Sequence, residues 1–377
     1  MISSNDSVGN SLLPPNKICS MDPSALMHRC LELAAQGAGL TTPNPMVGSV
    51  VVKDGQIMGE GFHPGVGQPH AEVFALNAAG DAAQGATLYV NLEPCNHTGR
   101  TPPCTEAILR AGVATVVVGM KDPNPQASGG IERLRTAGVE VITDVETADC
   151  ERLNEAFIHR IRHQQPFSIL KYAMTLDGKI ATNTGHSAWI TSPEARRRVH
   201  QLRGRCDAVI VGGNTVRRDN PQLTSHGVCS HNPLRVVMSR HLNLPAAANL
   251  WQTDIAPTLV FTEASTDIPS VQLPQQVEVI SLASLTPKAV LDTLYQRGLS
   301  TVLWECGGTL SAAALSQGVI QKLWAFVAPK LIGGSQAATP IGDMGLNHMS
   351  QALELHDLAL EKVGPDWLLQ GYLKKSA

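Results

Sequence analysis

The sequence is poor in aromatic residues, which supply 4% of its 377 positions, and charged residues supply only 16%. A core built here must rest on Val, Leu, Ile and Ala, and it can, because hydrophobic residues reach 43%, an ordinary content for a soluble globular chain. No apolar run approaches the ~20 residues of a membrane span. The formal net charge of −3 argues against nucleic acid as the main partner, since phosphate binding needs a basic face. Residues 1–20 lack the basic start and apolar stretch of a secretory signal. They read as a flexible leader over 1–22, with Met21 as an alternative start. There is no internal repeat, no low-complexity segment and no G-x-G-x-x-G after a strand, so a Rossmann dinucleotide site is not expected.

Of the eight cysteines, six (Cys19, Cys30, Cys150, Cys206, Cys229, Cys306) show no ligand spacing and read as free thiols, which points to a reducing cytosol. The other two complete a constellation: His70-Ala71-Glu72, then Pro94-Cys95, then Cys104. Zinc prefers four nitrogen and sulfur ligands in a tetrahedron, and a catalytic site leaves the fourth place to water. His70, Cys95 and Cys104 supply three ligands for one zinc per chain. Glu72, two residues past the histidine and not a ligand, is the proton carrier that a hydrolytic deamination of a nitrogen heterocycle needs. Two other readings stay open at this level. One is a nucleic-acid deaminase with an accessory domain. The other is a non-catalytic zinc module, for which His97 is the only nearby fourth ligand.

The length suggests two domains. Over 23–165, helix and strand signals alternate: helices at 23–36, 70–77, 104–111 and 131–137, and strands at 47–53, 56–61, 86–92, 115–118 and 139–143. This is a three-layer α/β pattern. The His70 and Cys104 helices would both begin at the metal, where their positive ends stabilise thiolates. A polar helical stretch, 151–164, ends at Pro166, where the boundary is placed. Over 166–377, strands are expected at 167–173, 208–211, 234–238, 258–261, 277–280, 301–305 and 323–327, and helices at 192–203, 287–297 and 309–317. Two glycine-bearing turns, Gly212-Gly213-Asn214-Thr215 and Gly307-Gly308-Thr309, either present backbone N–H groups to phosphates or simply make tight turns. Lys171 and Glu305, at strand ends, read unaided as a structural ion pair.

From about residue 24 to 373 the chain resembles the bifunctional riboflavin-biosynthesis family, in which a pyrimidine deaminase is joined to an NADPH-dependent reductase. Asn44-Pro45-Met46-Val47-Gly48, His70-Ala71-Glu72, the run from Glu93-Pro94-Cys95 to Cys104, and Asp122-Pro123-Asn124-Pro125 look like its deaminase motifs. Leu176-Asp177-Gly178-Lys179, Trp189-Ile190-Thr191-Ser192, Asp219-Asn220-Pro221, Glu305-Cys306-Gly307-Gly308 and the run Ala328 to Gly334 look like its reductase motifs. The eight residues between the cysteines separate the family from cytidine and tRNA-adenosine deaminases.

The resemblance implies a cytidine-deaminase-like domain followed by a dihydrofolate-reductase-like α/β domain. It implies deamination of 2,5-diamino-6-(5-phosphoribosylamino)pyrimidin-4-one, then reduction of its ribosyl group to ribityl. Asn44 and His63 would hold the pyrimidine, with Arg100 near the phosphate. Lys171 and Glu305 would face the sugar, while Ser187, Arg203, Leu223 and His226 would contact substrate. Ala173, Trp189, Thr215, Asp219, Gly307, Gly308 and Thr309 would line NADPH. A homo-oligomer, dimer or tetramer, through the reductase domain is implied. Two departures stand out: His226 replaces the arginine that meets the substrate phosphate, and Ser239 stands where Asp is frequent. A neutral imidazole is a weaker phosphate partner, so a raised KM that falls below pH 6.5 is expected.

Overall fold

The computed structural model describes residues 22–99, 102–264 and 273–374. The leader expected over 1–22 lies outside these residues except for Asp22, and Arg100 also lies outside them. The chain folds as two compact units. One takes the described residues up to 36 with 47–63 and 67–153, and the other takes Gly37–Met46, Pro64–Val66 and the described residues from 154 onward.

The first unit opens with α1 (Pro23–Ala34), whose N-cap is Asp22: its carboxylate accepts from the Ser24 amide at 3.1 Å, the usual repair of an orphan N–H at a helix start. There follow β1 (Gly48–Lys53), β2 (Gln56–Phe62), α2 (Ala71–Ala79), β3 (Thr87–Leu92), α3 (Cys104–Arg110), β4 (Thr115–Met120), α4 (Gly130–Thr136), β5 (Glu140–Ile142) and α5 (Thr147–Leu153). The sheet runs β2-β1-β3-β4-β5, antiparallel across the first three strands and parallel from β3 to β5. Asp54 and Gly55 turn β1 into β2 with φ of 50° and 71°, the left-handed geometry a tight hairpin requires.

The sheet is sandwiched. A Cβ on Gly61 would lie 2.6 Å from the Ala71 carbonyl of α2, and one on Gly48 would lie 2.1 Å from the Cys30 carbonyl of α1. Gly61 pairs with Ser49, the neighbour of Gly48. Adjacent strand residues face opposite ways, so α1 and α2 cover opposite faces. The small residue at 61 lets the α2 backbone rest directly on β2, which sets where α2 begins, at His70.

The second unit comprises α6 (Glu155–His163), β6 (Phe167–Thr175), α7 (Pro193–Arg203), β7 (Ala208–Gly212), α8 (Gly213–Asp219), β8 (Leu234–Met238), β9 (Thr258–Glu263), β10 (Glu278–Leu282), α9 (Pro287–Gln296), β11 (Thr301–Trp304), α10 (Gly308–Ser316), β12 (Lys322–Ala328), β13 (Leu355–Val363) and β14 (Asp366–Leu373). Its sheet runs β10-β9-β8-β7-β11-β6-β12-β14-β13, parallel through β12 and then antiparallel. Both faces are covered, as parallel sheets require. Leu170, Ile210, Phe261 and Trp304 join one apolar cluster, and Ile169, Val209, Val260 and Leu303 join the other.

One helical stretch expected over 151–164 is two helices, α5 and α6, interrupted at Asn154. That side chain is buried and its amide is spent elsewhere, accepting from the Met46 N–H at 2.8 Å and donating to the Met46 carbonyl at 3.0 Å. Three elements were not anticipated: α8, and the hairpin of β13 and β14.

Candidate active sites

In the first unit, three chain segments deliver the donor atoms. His70 is the N-cap of α2, Cys95 follows β3 across Glu93-Pro94, and Cys104 is the first residue of α3. His70 Nδ1 lies 3.2 Å from Cys104 Sγ and 3.5 Å from Cys95 Sγ. A tetrahedral zinc at ~2.05 Å from nitrogen and ~2.3 Å from sulfur sets the donors about 3.6 Å apart, so these residues fit the ion. Among the described residues, no fourth His, Cys, Asp or Glu ligand atom joins the cluster, and exposed His97 is not part of it. The thiols act as a pair. The Cys104 hydrogen bond pulls Cys95 down to about 4 with help from His70, and the same bond together with burial pushes Cys104 up.

Glu72 stands on the first turn of α2 and is 3% exposed, with its Oε2 buried and lacking a hydrogen-bond partner among the described residues. Burial first, then the charge of Cys95, raises its carboxyl to about 7. A buried carboxylate oxygen with nothing to bind is costly unless a ligand satisfies it. His63 meets His70 edge-on at 5.3 Å, and its Nδ1 lies 3.1 Å from the Pro69 carbonyl. Only an N–H can make that contact, which fixes the tautomer. Asn44 lies on the segment Gly37–Met46, which packs with the second unit.

A brace that sequence reasoning left unassigned is Glu93. Its Oε1 accepts from Gly129 and Ile131 at 3.0 and 3.1 Å, and its Oε2 accepts from Asp122 at 3.2 Å. A carboxylate immediately before Pro-Cys thus anchors both ends of the connection from β4 to α4 beside Cys95. The available signal was a glutamate at a buried strand end, where an unpaired charge is rare.

In the second unit, β7, β11 and β6 are neighbours. Lys171, expected at a strand end, lies midway along β6, which runs on to Thr175 against β12, and it sits beside the carboxyl end of β11. Glu305 follows β11 and takes two cations: Lys171 Nζ at 3.3 Å and Arg203 Nε at 2.6 Å. Arg203 Nη2 adds a second bond at 3.1 Å, making a bidentate pair. All three side chains are largely but not fully buried, at 15% exposure or less. Burial opposes the Glu305 charge, but Arg203 and Lys171 outweigh it and hold the carboxyl at about 2. Arg203 also donates through Nη1 to the Thr224 carbonyl at 3.1 Å, so its guanidinium is largely committed within the protein.

The turns at Gly212 and Gly307 open α8 and α10 side by side, since a Cβ on Gly212 would meet the Leu310 side chain at 3.6 Å. Thr215 lies near the start of α8, and Asp219 ends it. Gly307, Gly308 and Thr309 form the start of α10, while Ala173 lies on β6. Ser187 is half-buried in the irregular segment before α7, and Trp189 is 71% exposed beneath Arg196, whose Cζ lies 4.4 Å from the ring centroid. Three sequence motifs meet here. The Asp177 carboxylate accepts from Ile332 and Gly333 at 3.2 and 2.7 Å, and Lys330 Nζ donates to the Trp189 carbonyl at 2.8 Å.

Leu223 and His226 both have left-handed φ, 55° and 50°. His226 stacks on His200 with centroids 4.2 Å apart. Burial, then Arg203, lowers the His226 pKa. The unliganded imidazole therefore gains its proton at a more acidic pH than the 6.5 expected from sequence, and the window for any pH effect through the free side chain moves down.

Fold and sites together define the class: a zinc-binding deaminase unit followed by a reductase unit on a mostly parallel sheet. Residues 21–120 match the cytidine and deoxycytidylate deaminase zinc-binding region, and residues 166–369 match the RibD C-terminal domain. The riboflavin biosynthesis protein RibD of Synechocystis sp. is 61% identical over 350 residues, covering 92% of this chain and 95% of its own length. The Escherichia coli RibD is 38% identical over 364 residues, 92% of this chain and 98% of its own. Among solved structures, the Thermotoga maritima diaminohydroxyphosphoribosylaminopyrimidine deaminase/5-amino-6-(5-phosphoribosylamino)uracil reductase superposes with a TM-score of 0.84 at 37% identity, covering 93% of this chain and 99% of the other. Acinetobacter baumannii RibD gives 0.83 at 38%, covering 94% and 99%. The chain belongs to the RibD family of bifunctional riboflavin-biosynthesis enzymes, and combines deaminase and reductase activities.

Proposed function

We propose that the first unit deaminates 2,5-diamino-6-(5-phosphoribosylamino)pyrimidin-4-one and that the second reduces the ribosyl group of the product, giving 5-amino-6-(5-phosphoribitylamino)uracil. The observation that carries the first step is Glu72, a buried carboxyl with an unsatisfied oxygen beside three zinc-type donors. His70, Cys95 and Cys104 hold the zinc, which when bound lowers the pKa of a water toward ~7. Glu72 would take a proton from the attacking water and pass it to the ring nitrogen, then take a second from the hydroxyl so formed and give it to the departing amine, leaving the carbonyl and ammonia. Its carboxyl near neutrality suits both transfers. His63 and Asn44 hold the heterocycle, and Arg100 its phosphate.

In the second unit NADPH, when bound, supplies the hydride, between Ala173, Trp189, Thr215, Asp219 and the Gly307-Gly308-Thr309 turn. Lys171 gives a proton to the sugar ring oxygen or stabilises the imine, and Glu305 keeps that ammonium in place. Ser187, Arg203, Leu223 and His226 position the sugar phosphate. The two-domain division at 165/166 and a cytosolic location belong to the same reading. No helix among the described residues is long and apolar enough to cross a membrane, and thiolate ligands suit a reducing compartment. A homo-oligomer through the reductase unit is supported by exposed Leu358 and Leu360 on the edge strand β13, and light scattering would test it. The function itself is tested with the diaminopyrimidine phosphate, with and without NADPH. Ammonia should appear in both, and NADPH oxidation should follow only after its release. Oxidation without ammonia would refute the order.

A further inference from the structure

His200, which sequence reasoning did not single out, sits on α7 one turn before Arg203. Its ring lies against that of His226, centroids 4.2 Å apart and planes inclined by 28°. His226 comes from a braced loop: Arg203 holds the Thr224 carbonyl, and the Ser225 N–H and hydroxyl reach Asn232 Oδ1 at 2.8 and 2.9 Å. A helix and a pinned loop therefore fix the two rings together. The groups facing them are Arg203 on α7, Lys171 on β6 and Glu305 after β11. That cluster carries one net positive charge, and its only acid is already shared by two cations. Half-buried positive charge without a free counter-ion suits an anion.

Both imidazoles are pushed toward the neutral form, His226 although it is exposed. Burial, then His226 and Arg203, takes His200 down to about 4, while burial and Arg203 lower His226. Two imidazoles this close do not both ionise, because like charges repel. One can, once an anion offsets the surrounding cations.

We propose that His200 and His226 act as one stacked unit that takes up a single proton when a sugar phosphate monoester binds beside Arg203, His226 donating to the ligand and His200 acting as the positioning residue beneath it. The proposal rests on the reading that the second unit takes a phosphorylated sugar. A dianion within ~4–6 Å raises an imidazole pKa by ~1–3 units. Binding and protonation are then linked, and affinity weakens as pH rises through neutrality.

The test is calorimetric titration of the full chain with D-ribose 5-phosphate at pH 6, 7 and 8, for the wild type, H226R, H200A, H200F and the double variant H200A/H226R. The wild-type Kd should weaken roughly threefold to tenfold from pH 6 to 8, the part of a ~1–3-unit rise in the imidazole pKa that falls inside that window. The ligand's own second ionisation strengthens dianion binding with rising pH, so it cannot mimic this slope. H226R should bind more tightly at pH 8 and lose the pH-dependent weakening. H200A should cost several-fold at pH 6 in the wild-type background and little in the H226R background, whereas H200F, which keeps a ring beneath His226, should retain the affinity and the slope. A wild-type affinity that stays flat or improves with pH overturns the proposal. Equal losses from H200A in both backgrounds overturn the pairing, and loss of the slope in H200F overturns the role given to His226. Failure of the underlying reading looks different: neither the wild type nor H226R then binds the sugar phosphate at any pH.

Discussion

Replacing Glu305 with glutamine keeps the side-chain shape but leaves Lys171 and Arg203 buried without their counter-charge. At an effective dielectric of ~20, opposite charges separated by the 3.3 and 2.6 Å seen here attract by roughly 5 and 6 kcal/mol. Desolvation of three buried ions offsets much of that. Removing one member of such a group nevertheless costs ~3–5 kcal/mol, because the partners stay buried and uncompensated. Glutamine retains one acceptor oxygen, so the loss should fall near ~3 kcal/mol. All five tryptophans lie between residues 189 and 367, within the second unit, so tryptophan fluorescence in urea reports on that unit. With a denaturant slope of ~3 kcal/mol/M, the midpoint should fall by ~1 M. Acid adds a second signature. Glu305 is held at about 2, below an unfolded carboxyl near 4.5. Its contribution is therefore complete above pH 4.5 and is lost as pH falls toward 2. That part of the acid slope should be absent from the variant. An unchanged midpoint together with an unchanged acid slope would show that the triad carries no such coupling.

Removing zinc with a chelator should abolish ammonia release while leaving NADPH oxidation on pre-deaminated substrate, since the donor cluster lies wholly in the first unit. Gly130→Ala should cost at least tenfold in zinc retention at equilibrium, because the added Cβ would fall 1.8 Å from the Pro94 carbonyl and displace the loop that carries Cys95. Asp177→Ala frees the Ile332 and Gly333 amides from the carboxylate that gathers them. The KM for NADPH should rise about threefold to tenfold in steady-state assays, with ammonia release unchanged.

Much of the second sheet was legible because its strands are short apolar runs with little else inside them. Ala208–Val211 is such a run, and β7 begins with it and ends one residue later at Gly212. The helix at Ser192 announced itself through its cap: Ser192 Oγ accepts from the Ala195 N–H at 3.3 Å, with proline at the first turn. What escaped notice was set by tertiary structure. The β13 strand shows no period-2 pattern, since as an edge strand it is exposed along nearly its whole length. The two glycines opening α8 read as a turn, although seven residues after Gly212 are helical. Asn154 interrupts a helical stretch because Met46, 108 residues earlier in sequence, takes its amide. At the sites, the residue types of the zinc cluster fixed their own chemistry at a distance of 34 residues. The Lys171–Glu305 relation was visible only as two expected strand ends, of which Glu305 is one, whereas Lys171 lies midway along β6. The commitment of Arg203 to Glu305, the brace at Glu93 and the stacking of His200 depend on contacts between remote segments, which no local pattern encodes.

The central claim is that one chain holds two separate chemistries, the first turning on a buried carboxyl that is not a zinc ligand. Glu72→Gln tests it most directly, with zinc content, ammonia release and NADPH oxidation measured on the same preparation. The account predicts one zinc per chain, ammonia release reduced by ~10²–10⁴-fold, and full NADPH oxidation with pre-deaminated substrate. Normal ammonia release from a zinc-loaded Glu72→Gln protein would contradict it.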